Sequence, residues 1–336
     1  MGAALGCRPA PVSGLELIPI RRPAAGAFRE SVLVIRSEGR LQGLGEAPVT
    51  AGRSGSLAEL LAELEGESTP GPAARCGLQT AELDLAARRR GVPLTELLGG
   101  PRRNRVECTA LVTAEAPDRV VAEVESWASL GFAAFKLKSA GRALETDLER
   151  LGAARFAAGA SARLRLDFNG SLSWLEASER LRALAGFQLE LIEQPLGAAA
   201  PPSDWAHLRS QSHLPLAADE SLADPDVAAA LLSLGVLPAV KLATVGGPQR
   251  ALALAAGSRC GATLGSSFES SIGLAAALHV ACALEREPLA CGLATDWLGG
   301  SELAAGLDWE GPHLQLPSRP GLGVELDRAA LERYRP

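Results

Sequence analysis

Lysine is nearly missing from this chain. Of 33 lysines and arginines only three are lysine, Lys136, Lys138 and Lys241, and two of these share the stretch FAAFKLKSA. Arginine keeps its proton in proteins, whereas lysine can lose one when burial or neighbours lower its pKa. A chain that uses arginine for ordinary positive charge and keeps lysine at three places marks those three as candidate proton-transfer groups. Other scarcities close off whole classes. There is no apolar run of the ~18 residues a membrane span needs, so nothing is expected to cross a membrane. The N-terminus has no apolar stretch of signal-peptide length; ALGC, ending at Cys7, faintly suggests a lipoprotein cleavage site, but no hydrophobic segment precedes it. The six cysteines are scattered without a C-x-x-C and read as reduced, mostly buried thiols of a cytoplasmic protein. The four histidines, His207, His213, His279 and His313, lack metal-binding spacing, which argues against zinc. No G-x-G-x-x-G follows a first strand, so a dinucleotide-binding fold is not indicated. Net charge is −6, which argues against nucleic acid and leaves no basic membrane patch. The expected partner is a small-molecule substrate; nothing in the sequence sets an oligomeric state.

What is present is an ordinary globular composition and a change of pattern near residue 100. Apolar residues make up 47% of the 336, enough for a large core. The first hundred residues read as an α+β unit. ESVLVIRSEGRLQGLGEA has two apolar runs about Glu38-Gly39, a hairpin signal. SLAELLAELEG and AARCGLQTAELDLAARRRG have helical periodicity, the second closing at Gly91. After Arg105, short apolar runs (VECTALV, FAAFKLK, RLRLDF, QLELIE, LPLAAD, PAVKLA, GATLGS, LACGLA) alternate with helical stretches. That alternation predicts parallel strands with helical crossovers, and eight strands suggest a closed barrel over residues 101–304 rather than an open sheet. The segment from roughly 305 to 336 is expected to pack back on the N-terminal unit, 1–100.

Polar residues gather at the predicted strand ends. Lys136 and Lys138 end the second strand, Asp167 and Asn169 the third, Glu193 the fourth, Asp219 and Glu220 the fifth, and Lys241 the sixth. Strand C-termini form the active face of such a barrel. Alternate strand residues share a face, so Lys136 pairs with Lys138, and Arg165 with Asp167 and Asn169. An isolated Asp at a strand end is commonly a helix cap. Here Asp167, Glu193 and Asp219 recur at 26-residue intervals, one strand–helix unit each, with lysines beside them. Three converging carboxylates repel unless a cation sits among them, and an all-oxygen set with open positions suits Mg²⁺. In the seventh unit GSSFESSIG combines serines with a helix N-terminus, a place suited to an anion.

These pieces resemble the enolase superfamily, in its muconate-lactonizing subgroup. GLGEAP and GVPLTELLGG match in the first unit, and KLK, RLDFNG, IEQPL, ADES and VKLATVGG in the second. The resemblance implies a modified TIM barrel, (β/α)7β, with an N-terminal α+β capping domain. It implies Asp167, Glu193 and Asp219 as Mg²⁺ ligands, with Asn169 and Glu220 beside them. Lys136 and Lys138 would lie on one face of the substrate and Lys241 on the other. The shared step would be removal of a proton α to a carboxylate by Lys138, giving an ene-diolate. GSSFESSIG, Arg165-x-Asp167-x-Asn169 and GLATDWL further resemble o-succinylbenzoate synthases, hydro-lyases of menaquinone biosynthesis. That implies Arg165, Ser266 and Ser267 as substrate contacts. An N-succinylamino acid racemase, using Lys138 and Lys241 as paired bases, stays open. So, more remotely, does a barrel kept as a non-catalytic scaffold. The acidic D-x-D by which dipeptide epimerases hold an ammonium group is absent. KSAG after Lys138 departs from the commoner glycine-rich continuation.

Overall fold

The computed structural model describes residues 14–24, 26–50, 54–298 and 303–336; Cys7 lies outside the described residues. The chain opens with a three-stranded antiparallel sheet, β1 (Leu15–Ala24), β2 (Ala27–Glu38) and β3 (Leu41–Pro48), in that spatial order. The expected hairpin about Glu38-Gly39 is β2–β3, paired Glu38 to Leu41. Strand β1 was not legible in the sequence, because Pro19 and Pro23 interrupt its pattern. It is an edge strand, and only at an edge can a sheet spare the N–H groups that proline lacks.

Two helices cover this sheet. In α1 (Leu57–Leu64) Ser56 and Glu59 form a reciprocal N-terminal cap. Helix α2 (Pro72–Arg90) starts on proline and stops at Gly91, whose φ of 68° is left-handed. α2 lies directly on β3. The glycines of GLGEA permit this, since a Cβ on Gly45 would collide with the carbonyl of Gly77 in α2, and one on Gly43 with that of Ala81.

Seven parallel strands follow: β4 (Ala110–Val112), β5 (Ala134–Lys138), β6 (Arg163–Asp167), β7 (Leu191–Glu193), β8 (Leu216–Ala218), β9 (Leu237–Lys241) and β10 (Thr263–Gly265). They form one sheet in chain order. Helices lie between them: α3 (Pro117–Ser129), α4 (Leu144–Ala158), α5 (Trp174–Leu184), α6 (Pro202–Gln211), α7 (Pro225–Ser233), α8 (Pro248–Gly257) and, after β10, α9 (Ser271–Ala283). Several begin on side-chain caps, Ser173 with Glu176 on α5 and Asp224 on α7. The sheet curls until its edges meet a common partner. Gly292 bridges Gly265 at the end of β10, and Cys291 bridges Cys108 just before β4.

Two expected strands differ from the structure here. LACGLA contributes only those bridges. VECTALV splits at Cys108: Ala110–Val112 joins the parallel sheet, but Arg105–Glu107 pairs antiparallel with His313–Gln315. Other C-terminal residues contact the N-terminal helix α2. Buried Asp84 of α2 accepts from the amides of Leu322 (2.6 Å) and Leu44 (2.8 Å), and Arg88 donates to the carbonyl of Val324 (2.9 Å).

The strand row is apolar. Leu137, Leu164, Leu166, Leu191, Ile192, Ala217, Val240 and Leu264 are all fully buried. Each leucine so placed contributes about 1.5–3 kcal/mol relative to exposure, and that rigid row aims the strand ends. Cys282 and Cys291 are buried as expected, and burial pushes their thiols up to about 12 and about 11, which keeps them unreactive. No described helix is long and apolar enough to cross a membrane.

Candidate active site

Strand register sets the site. Lys138 pairs with Asp167, and Asp167 with Glu193, so three strand ends form one row. Asp219 lies one residue past β8 and Lys241 ends β9. Asp167 and Asp219 are fully buried and Glu193 almost so. The ammonium groups meet them in pairs. Lys136 Nζ lies 2.8 Å from Glu193 Oε1 and 3.0 Å from Asp167 Oδ2; Lys138 Nζ lies 2.6 Å from Asp167 Oδ2; Lys241 Nζ lies 2.5 Å from Asp219 Oδ2. All three lysines are thus spent on this cluster.

Electrostatics separate the lysines. Burial opposes the charge on Lys136, but the carboxylates of Asp167 and Glu193 outweigh it and raise its pKa. Lys241 is likewise raised, burial being outweighed chiefly by Asp219. Lys138 goes the other way. Burial, helped by the charges of Lys136 and Lys241, lowers its pKa despite Asp167. Among the carboxylates, burial and the charge of Asp167 raise Glu193, while the three lysines overcome burial at Asp167 and hold it low.

The donor chemistry fits Mg²⁺: hard carboxylate oxygens, converging, and too deeply buried to stay charged without compensation. Among the described residues no group of three His, Cys, Asp or Glu is arranged to hold a metal as it stands. The carboxylate oxygens face ammonium groups, so a dication would have to take oxygens that the lysines now share.

Asn169 and Glu220 lie beside the cluster. Asn169, at φ 48°, accepts from Lys138 Nζ (3.0 Å), donates its backbone N–H to Asp167 Oδ1 (2.9 Å) and its side chain to Glu220 (3.2 Å). Sequence reasoning missed Gln194, although it follows Glu193 directly in IEQPL. Its side-chain oxygen accepts from the amides of Asp219 (2.8 Å) and Ser221 (3.2 Å), which fixes the turn that presents Asp219.

A cavity of about 250 Å³ opens over this cluster, lined by Lys136, Lys138, Lys241, Glu193 and Asn169. Arg165 lines its inner end. Its Nε donates to Glu190 (2.5 Å) and Nη1 to the carbonyl of Ala290 (2.7 Å), and Nη2 is buried with no hydrogen-bond partner. Ser266, Ser267 and Phe268 form another wall. Ser266 Oγ is committed within its own turn, donating to Glu269 (2.6 Å) and accepting from the amide of Phe268 (2.8 Å). Ser267 Oγ is buried with no hydrogen-bond partner. Phe268 is held at φ 64°, a strained value for a bulky residue, and carries the Arg29 guanidinium over its ring at 4.6 Å. Arg29, also a cavity residue, comes from β2 and was missed, because an arginine among 30 carries no local signal.

The rest of GSSFESSIG joins the two parts of the chain. Glu46, from GLGEA on β3, is buried and accepts from the amide of Ser270 (2.9 Å), from Ser270 Oγ (2.5 Å) and from Ser31 Oγ (2.8 Å). The serines read as an anion site are therefore divided between a cavity wall and a docking contact.

The chain is similar to several known proteins. A family profile described as enolase C-terminal domain-like matches residues 119–330. Muconate cycloisomerase 1 of Acinetobacter baylyi is 32% identical over 269 residues, 78% of this chain and 72% of that protein. The o-succinylbenzoate synthase of Thermobifida fusca is 35% identical over 201 residues, 58% of this chain and 61% of that protein. The solved muconate lactonizing enzyme from Pseudomonas putida superposes with a TM-score of 0.89 at 25% identity, covering 97% of this chain and 100% of that one. Other relatives carry different names, among them a hydrophobic dipeptide epimerase and an N-succinyl-L-Arg/Lys racemase.

Proposed function

The chain belongs to the enolase C-terminal domain-like family, and on that premise we propose that it is an o-succinylbenzoate synthase. It would dehydrate 2-succinyl-6-hydroxy-2,4-cyclohexadiene-1-carboxylate on a (β/α)7β barrel capped by the N-terminal α+β domain. The observation that carries this reading is the cavity. One chamber of about 250 Å³ is lined by the three lysines and Glu193 and, on another wall, by Ser267 and Arg29. That is small beside the ~300–1,000 Å³ of most ligand sites. It suits a compact substrate with two carboxylates, one over the cluster and one at Ser267.

Asp167, Glu193 and Asp219 would hold Mg²⁺, which would supply positive charge against the negative charge developing on the substrate carboxylate. Lys138 accepts the α proton and returns it to the departing hydroxyl on the same side, so that water leaves and the ring becomes aromatic. Lys136 keeps its charge next to Lys138. Lys241, four strands away on β9, holds positive charge against the opposite side. Asn169 orients the Lys138 amine.

A second reading, N-succinylamino acid racemase, draws on Lys138 and Lys241 both lining this cavity from strands four apart. Purified protein with Mg²⁺ tests both. Loss of diene absorbance should be fast, and exchange of the α proton of N-succinyl amino acids in D₂O slow or absent. If kcat/KM for racemization, or for muconate, equals or exceeds that for dehydration, the named activity is wrong.

A further inference from the structure

Behind the cluster, outside the cavity, lies a buried group of charges that the reaction as described does not use. Arg150 and Asp147, on α4, are both fully buried, and Ser139 is nearly so. Burying a guanidinium and a carboxylate is costly even when they are paired. These two lie 3.7 Å apart, with Arg180 of α5 completing the carboxylate at 2.6 Å. Ser139 Oγ also donates to Asp147. This is the place of the unusual KSAG continuation after Lys138.

The backbone explains where the guanidinium goes. The β4–β5 ladder ends at Val112–Leu137, one residue before Lys138. On the other side the amide of Ser139 reaches the carbonyl of Asp167 (2.8 Å). The carbonyl of Lys138 therefore has no strand partner. Arg150 supplies one: Nη1 donates to Lys138 O (2.7 Å), while Nε donates to Ala114 O on the continuation of β4 (3.0 Å). Arg142 Nη1 adds a second donor to Lys138 O (2.9 Å). One buried side chain thus spans the gap where a further rung would lie. We propose that Arg150, oriented by Asp147 and supported by Arg142, is a positioning residue for Lys138, fixing the backbone from which the amine reaches the substrate. This rests on the reading of Lys138 as the base.

The scarcity of lysine supplies a clean probe. Protein labelled with [ε-¹³C]lysine should give three Hε–Cε signals, assigned by Lys→Arg substitution at each site. In Arg150→Met the Lys138 signal should shift or broaden while those of Lys136 and Lys241 stay. With the cyclohexadiene substrate, kcat should fall at least tenfold and KM stay within threefold, and Arg150→Lys should recover part of the loss. A folded Arg150→Met with kcat within twofold of wild type, or with the Lys138 signal unmoved, overturns the proposal. So does an equal shift of all three signals with a raised KM, which is the mark of general loosening. If Arg150→Met does not fold, Arg142→Met removes the other donor to the same carbonyl and should give the same pattern at about threefold; an unmoved Lys138 signal there also overturns it. If wild type does not turn over this substrate, the function assignment fails by itself and the three signals still decide the positioning role.

Discussion

Glu46→Ala removes one carboxylate, and the structure says what it leaves behind. The Ser270 amide, Ser270 Oγ and Ser31 Oγ all donate to that group, within a contact that is almost fully buried. Each buried donor left without an acceptor costs about 1–3 kcal/mol. Ser270 Oγ can still cap α9 by accepting from the amide of Ile272, so its loss lies at the low end. The amide is fixed and carries the larger share. The total is about 3–5 kcal/mol, read as the shift in urea midpoint multiplied by m. Glu46→Gln keeps one acceptor oxygen but turns an amide toward donors, and should cost about 1–2 kcal/mol. Loosening of the Ser266–Phe268 wall should also raise KM. A loss below about 1 kcal/mol for Glu46→Ala, or a larger loss for Gln than for Ala, would refute the docking role.

Asp219→Asn should weaken Mg²⁺ binding in calorimetry and abolish turnover while circular dichroism stays native; Mg²⁺ affinity equal to wild type removes Asp219 from the ligand set. Ser267→Ala, which frees no internal partner, should raise KM with little change in Tm, whereas Ser266→Ala should lower Tm because its hydroxyl holds its own turn. His279 is buried, its Nδ1 accepting from the amide of Thr95 (3.2 Å) and its Nε2–H donating to the carbonyl of Leu322 (3.1 Å). Burial lowers its pKa from 6.5 to about 4, so its contribution is full above pH 6.5 and is lost as pH falls toward 4. Over that interval wild type should lose roughly 3 kcal/mol more than His279→Gln, and parallel stability profiles for the two would contradict the shift.

The strand ends were legible because each bears a chemically distinctive residue after an apolar run. FAAFKLK and RLRLDF became β5 and β6 with the expected residues at their ends. Gly91 and Glu38-Gly39 were legible because a left-handed cap and a tight turn depend on local residues alone. What was hidden depends on partners far along the chain. Pro19 and Pro23 are tolerated because β1 lies at an edge, which no local pattern states. VECTALV reads as one strand until His313–Gln315 takes its first half. GSSFESSIG suggested an anion site because serines and a helix start were visible in it, but Glu46, 224 residues earlier, claims Ser270. Arg29 and Arg150 were invisible because position alone separates them from the other arginines.

The most direct test of Lys138 as the one-sided base compares Lys138→Arg with Lys241→Arg in the dehydration assay with Mg²⁺. Arginine keeps the charge but cannot accept the proton. Expected is a fall in kcat of about 10²–10⁴ for Lys138→Arg, the usual worth of a general base, with KM partly retained, and a much smaller fall for Lys241→Arg. Near-normal kcat for Lys138→Arg, or equal losses at both positions, would contradict it.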